Sequence, residues 1–162
     1  MLIDSIDAEE IRHWTVINDD VMGGISQSRT ELSSAKTLLF CGQLALENNG
    51  GFASIYRRSE NYNLEACTGV ILKVKGDGRR YQFRVKTNAQ HNGIAYKTLF
   101  STEADQWQTL ILPFDSFSAS FRGKAIPDAP ALHPEHIKQI GFLLADKQPG
   151  SFCLEIACIK SY

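Results

Sequence analysis

The chain has 162 residues, with 17 Lys and Arg against 18 Asp and Glu, a net charge of -1, and 43% hydrophobic residues. That length suits one domain, residues 1–162, able to bury roughly 70% of its unfolded surface without a metal or disulfide staple. The near-neutral charge gives no electrostatic case for nucleic acid, and no segment reaches the ~20 apolar residues of a membrane helix.

In chain order, the acidic start MLIDSIDAEEIRHW has the pattern of neither a secretory signal nor a basic transit peptide, and DAEEIRHW fits a helical turn or two. NDDVMGGIS, Asn18 to Ser26, follows. Its glycines permit positive φ or a close approach, and Asn18, Asp19 and Asp20 offer side-chain acceptors. Two readings stand: a ligand-facing loop, or a strand-to-strand corner whose acids cap backbone amides. The residue types favour the corner. A phosphate cradle is excluded, because no Lys follows the glycines and two acids repel phosphate.

TLLFCGQLAL alternates, with Leu38, Phe40, Gly42, Leu44 and Leu46 on one face. ENNGGFAS, Glu47 to Ser54, is a second glycine-rich loop between this strand and one over Phe52–Tyr56. Either the two loops meet at one end of a sandwich or they are independent tight turns, the reading slightly favoured by their composition. An open pocket between them would point to binding, and a closed, satisfied knot to scaffolding.

GVILKVKG and RRYQFRVKT alternate next, with Tyr81, Phe83 and Val85 opposite Arg80, Gln82, Arg84 and Lys86. GDG at Gly76–Gly78 reads as a hairpin, which would put Lys73, Lys75, Arg80, Arg84 and Lys86 on one cationic outer face. HNG at His91–Gly93 is another turn. TLILPF, IGFLLAD and SFCLEIACI continue the period-two pattern, and HPEHIKQI allows a short turn with Pro134 near its start. Many short strands without crossover helices predict an all-β sandwich or jelly roll with one or two short helical turns.

Chemistry is sparse. Cys41, Cys67, Cys153 and Cys158 form no Cys-x-x-Cys, so free thiols in a cytoplasmic protein are expected. His133 and His136 lack a third ligand nearby, so no metal or cofactor is expected. There is no nucleophile elbow, and no catalytic residue is assigned. A hydrolase or lyase using carboxylates here, Asp19 or Asp20 with Glu47, is the last-ranked alternative.

Taken together and in order, WTVINDDVMGGISQS, FCGQLALENNGGFASI, VKGDGRRYQFRVKT, WQTLILPFDSF and IGFLLADKQPGSFCLEI resemble the complex I intermediate-associated protein family. YKTLF and FRGKAI add to the match, which runs from Trp14 to about Ile159. The resemblance implies a galactose-binding-like jelly-roll β-sandwich. It further implies a chaperone-like assembly factor that contacts a protein partner, such as a respiratory or redox enzyme assembly intermediate, without catalysis. Lacking a transit peptide, the chain is expected to be a compact bacterial-type member, not inserted in a membrane. The alternative is a carbohydrate or small polar ligand-binding module. The residues expected to meet a partner or ligand are Asp19, Asp20, Met22, Asn48, Asn49, Tyr81, Arg84, Tyr96 and Arg122. The acids are expected to fix the corner from within, leaving its rim to be read.

Overall fold

The computed structural model describes residues 1–87 and 93–162, with the side chain of Met22 outside that description. Its strands are β1 (Leu2–Ile3), β2 (Trp14–Val16), β3 (Gln27–Leu32), β4 (Leu38–Leu44), β5 (Ala53–Arg57), β6 (Gly69–Lys75) and β7 (Arg80–Thr87). They continue with β8 (Ala95–Ser101), β9 (Trp107–Pro113), β10 (Ser118–Phe121), β11 (Lys124–Ala125), β12 (Ile137–Leu144) and β13 (Gly150–Ser161). One α-turn, α1 (Ala8–Ile11), starts at Asp7, whose Oδ1 accepts the Glu10 N–H at 2.8 Å. Short 3-10 turns cover Asp19–Met22, Glu47–Asn49, Phe114–Ser116 and Pro134–His136.

The strands form two antiparallel sheets. One runs β3-β4-β13-β6-β9, with β1 beside β13, and the other runs β11-β10-β8-β7-β12-β5-β2. Alternation decides which side chains meet between them. On β7, Tyr81, Phe83 and Val85 are buried in the core, and on β12 so are Ile140, Phe142 and Leu144. Phe83 and Phe142 pack edge to face with centroids 5.3 Å apart, and Trp14 lies 6.0 Å from Phe142. Each such fully buried side chain contributes roughly 1.5–3 kcal/mol.

One turn expectation changes. The GDG segment is not a hairpin: β6 belongs to the six-stranded sheet and β7 to the seven-stranded one. The chain therefore crosses the sandwich there, and the cations divide. Lys73 and Lys75 flank Trp107 on one sheet, with ammonium-to-centroid distances of 5.8 and 5.3 Å. Arg80, Arg84 and Lys86 lie on β7, in the other sheet. His91 and Asn92 of the expected HNG turn lie outside the described residues. The free-thiol expectation also changes: Cys41 and Cys153 oppose each other on β4 and β13 and are joined as a disulfide, leaving Cys67 and Cys158 free.

Gly23 closes the Asp19–Met22 turn at φ 87°, with nothing near the position a Cβ would take. Strain there is therefore purely backbone. Gly23→Val should destabilise the fold by about 1–2 kcal/mol, read by urea denaturation, because a β-branched residue resists the left-handed region. A variant of unchanged stability would show that this turn does not require positive φ.

Candidate functional site

The two glycine-rich loops meet, and they meet on one carboxylate. Asp19 is fully buried. Its Oδ1 accepts the Ser26 N–H at 2.9 Å, and its Oδ2 accepts the Ser26 hydroxyl at 2.5 Å and the amides of Gly51 and Phe52 at 2.7 and 3.3 Å. The Asp19 backbone N–H donates to the Phe52 carbonyl at 3.1 Å, and Gly24 N–H donates to the Asp19 carbonyl at 2.8 Å. Ser26 Oγ in turn accepts the Ala45 N–H at 2.9 Å. One aspartate thus ties together the turn it starts, the entry to β3, the exit of β4 and the entry to β5.

Two glycines exist to let it in. A Cβ on Gly24 would stand 2.4 Å from Asp19 Cγ, and one on Gly50 would stand 2.6 Å from Asp19 Oδ2. Asn18 extends the network: its Oδ1 accepts the Ser28 hydroxyl at 2.8 Å and the Ser54 N–H at 3.3 Å. Burial opposes the charge on Asp19, but the hydrogen bonds from Ser26, Gly51 and Phe52 outweigh it and hold the carboxyl below its ordinary range.

The corner is therefore a closed, satisfied knot around Asp19, the outcome that points to scaffolding inside and leaves only its rim for a partner to read. The alternative of Asp19 paired with Glu47 for hydrolysis finds no geometry, since Asp19 is sealed from solvent and Glu47 is exposed. The outside of the corner differs in character. Asp20, Asn48 and Asn49 are exposed, the two asparagines at φ 57° and 58°. The same segments also leave apolar side chains in solvent: Val21 is 69% exposed, Ile25 54%, Leu46 39% and Ile17 36%. Ile25, Leu46 and Ile17 adjoin in sequence Ser26, Ala45 and Asn18 of the network, and Val21 lies two residues past Asp19.

The other expected site residues are dispersed. Tyr81 is fully buried and donates to both Asp77 oxygens at 3.0 Å, and Tyr96 is buried and donates to the Pro130 carbonyl at 2.7 Å. Neither ring faces outward. Arg122 is exposed in the β10–β11 turn, 5.3 Å over the Phe121 ring. Arg84 alone of the remainder lies on the outer face of the seven-stranded sheet. The aromatic residue on that face is Tyr56, which sequence reasoning missed. The signal was present in ASIYR, where Ala53 and Ile55 take the core and Ser54 and Tyr56 the other side.

GDGRRY builds a second closed network at the β6–β7 crossing. Asp77 Oδ2 accepts the Cys153 N–H at 2.8 Å, and Arg79 grips Asp146 through Nε at 2.8 Å and Nη2 at 2.7 Å.

The family model for complex I intermediate-associated protein 30 (CIA30) matches residues 3–156. The chain belongs to this family. CIA30 relatives include the mitochondrial complex I intermediate-associated protein 30 of Drosophila melanogaster, 29% identical over 88% of this chain and 56% of its own length. That of Mus musculus is 26% identical over 91% of this chain and 51% of its own. The chain thus spans about half the length of these curated CIA30 relatives. Among solved structures it is similar to a family 11 carbohydrate-binding module of a Clostridium thermocellum cellulosomal cellulase, with TM-score 0.74 at 16% identity. That match covers 100% of this chain and 95% of the module. The same module in complex with a beta-1,3-1,4-mixed-linked tetrasaccharide gives TM-score 0.73 at 18% identity, covering 98% and 93%. These likenesses confirm the jelly-roll sandwich expected of the CIA30 family and, at such identity, carry the fold alone.

Among the described residues no three His, Cys, Asp or Glu side chains gather in a metal-binding group, and no helix is long and apolar enough to cross a membrane.

Proposed function

We propose that this chain is a non-catalytic binding module that docks a protein partner on the corner built around Asp19. The observation that carries this reading is the contrast within the corner. Asn18, Asp19 and Ser26 are consumed inside the network, while Val21, Ile25, Leu46 and Ile17 are left in solvent. Apolar side chains held on a rigid frame lose little entropy when covered, which is the economy of a docking surface. The family supports the same reading, since the Drosophila and mouse relatives are named for association with a complex I intermediate. A respiratory or redox assembly intermediate is accordingly the partner class to test.

The test is capture at native expression, comparing the unaltered chain with a Val21→Asp/Ile25→Asp variant. Both positions are exposed, so folding should be unchanged while partner recovery falls at least tenfold. Equal recovery by a folded variant would remove the corner from the interface. Failure to recover any reproducible protein, alongside a tight small-molecule ligand, would sink the reading altogether.

A further inference from the structure

The outer face of the seven-stranded sheet carries a feature independent of the corner. Cross-strand register places Tyr56, Gly141, Arg84, Lys97 and Ser118 in one row from β5 to β10. Lys86 follows on the same face, paired with Gln139. The Tyr56 ring lies across Gly141, where a Cβ would stand 2.5 Å from Tyr56 Cδ1, and the Lys86 ammonium sits 4.2 Å from the ring centroid. Ser54, Tyr56, Gln82 and Ser120 are buried although they point away from the core, so this floor is recessed beneath longer side chains.

The recess is rich in donors and short of acceptors. Arg84 Nη1 reaches Gln82 Oε1 at 3.3 Å and Nη2 reaches Ser120 Oγ at 3.5 Å, while its Nε is buried without a partner. Among the described residues no acid pairs with Arg84, Lys86 or Lys97. Burial, and then the Arg84 charge, lower the pKa of both lysines, the signature of cations crowded without a counterion. Beside Lys86 opens a cleft of about 480 Å³, lined also by Ser59, Glu60, Asn61, Thr87, Lys138 and Gln139. The Glu60 carboxylate there is held by Arg57 and Arg58.

We propose that this face binds an acidic sugar, a polyhydroxylated ring bearing a carboxylate, sulfate or phosphate, with Arg84 gripping the oxyanion and Lys86 and Lys97 flanking it. The planar Arg84 fork, with its Nε unused, suits a bidentate oxyanion. The adjoining cleft has the volume of a small-ligand pocket, and its lining pairs apolar surface for a sugar ring with Ser59, Asn61 and Gln139 for its hydroxyls. A recessed floor favours a small ligand over a flat protein surface.

Calorimetric titration of the intact chain tests this with galacturonate oligomers, galactose 6-sulfate and glucose 6-phosphate. The controls are galactose, glucose, inorganic phosphate and inorganic sulfate. At least one acidic sugar should bind at least tenfold more tightly than its neutral parent and than the free inorganic ion. Arg84→Gln and Lys97→Gln, each checked for an unchanged melting temperature, should each weaken it about tenfold, and Val21→Asp/Ile25→Asp should leave it unaltered. That last variant separates this site from the docking corner. Binding of no acidic sugar, equal binding of neutral sugars or of inorganic ions, or affinity retained in both folded variants would each overturn the proposal.

Discussion

Asp19→Ala should cost the fold about 3–5 kcal/mol, the range for removing one partner from a buried, charged hydrogen-bond network. The substitution strips the acceptor from the Ser26, Gly51 and Phe52 amides and from the Ser26 hydroxyl, with no solvent to replace it. Gly24 and Gly50, which flank the carboxylate, carry no side-chain atoms to fill the vacated space. Asp19→Asn keeps the volume but turns an amide donor toward other donors, so it should also destabilise. Acid should act on the same group. A carboxyl held below its ordinary range gives stability that is present above the unfolded value near 3.9 and lost as pH falls through the folded one. Glu10 and Asp146 are depressed too, so wild-type stability should fall below about pH 4, and less steeply in Asp19→Ala. Urea denaturation between pH 7 and pH 3 reads both effects. A loss under about 1 kcal/mol in Asp19→Ala would mean the backbone bonds alone hold the corner.

Arg57→Ala should be comparably damaging, by about 3–5 kcal/mol. Arg57 enters the core side of β5 and is nearly buried. Its Nε and Nη2 reach the two Glu10 oxygens at 2.9 and 3.0 Å, and Nη1 reaches Glu60 at 2.7 Å. Trp14 Nε1 shares the Glu10 carboxylate at 2.8 Å. Truncation strands Glu10 beside the core. The Arg57→Met/Glu10→Gln pair removes both charges, keeps an acceptor for Trp14, and should recover more than half of the loss in a double-mutant cycle. No recovery would show that Arg57 works through packing on Tyr62 and not through the ion pair.

These two networks mark how far the sequence could be read. Alternation in RYQFRVKT and IGFLLAD placed Phe83, Val85, Ile140 and Phe142 inside, because side-chain direction follows directly from strand geometry. The same alternation puts Tyr81 with Phe83 in the core, whereas Tyr56 takes the outward side of β5. Turn chemistry at GDG signalled a reversal but not which sheet received the chain, so Lys73 was grouped wrongly with Arg84. Arg57 with Glu10, and Cys41 with Cys153, are joined across 47 and 112 residues, separations at which no local pattern survives. Asp19 shows both sides. Its loop was recognisable, yet that Gly24 and Gly50 serve one carboxylate appears only once the loops are brought together.

Docking of a protein at this corner is tested by a photo-crosslinking residue placed at Val21. Under native expression it should yield one discrete protein adduct, lost in the presence of Ile25→Asp, while the same residue at Ser34, exposed in the β3–β4 turn, yields none. No adduct from Val21 beside a discrete one from Ser34, or a Val21 adduct indifferent to Ile25→Asp, would contradict it.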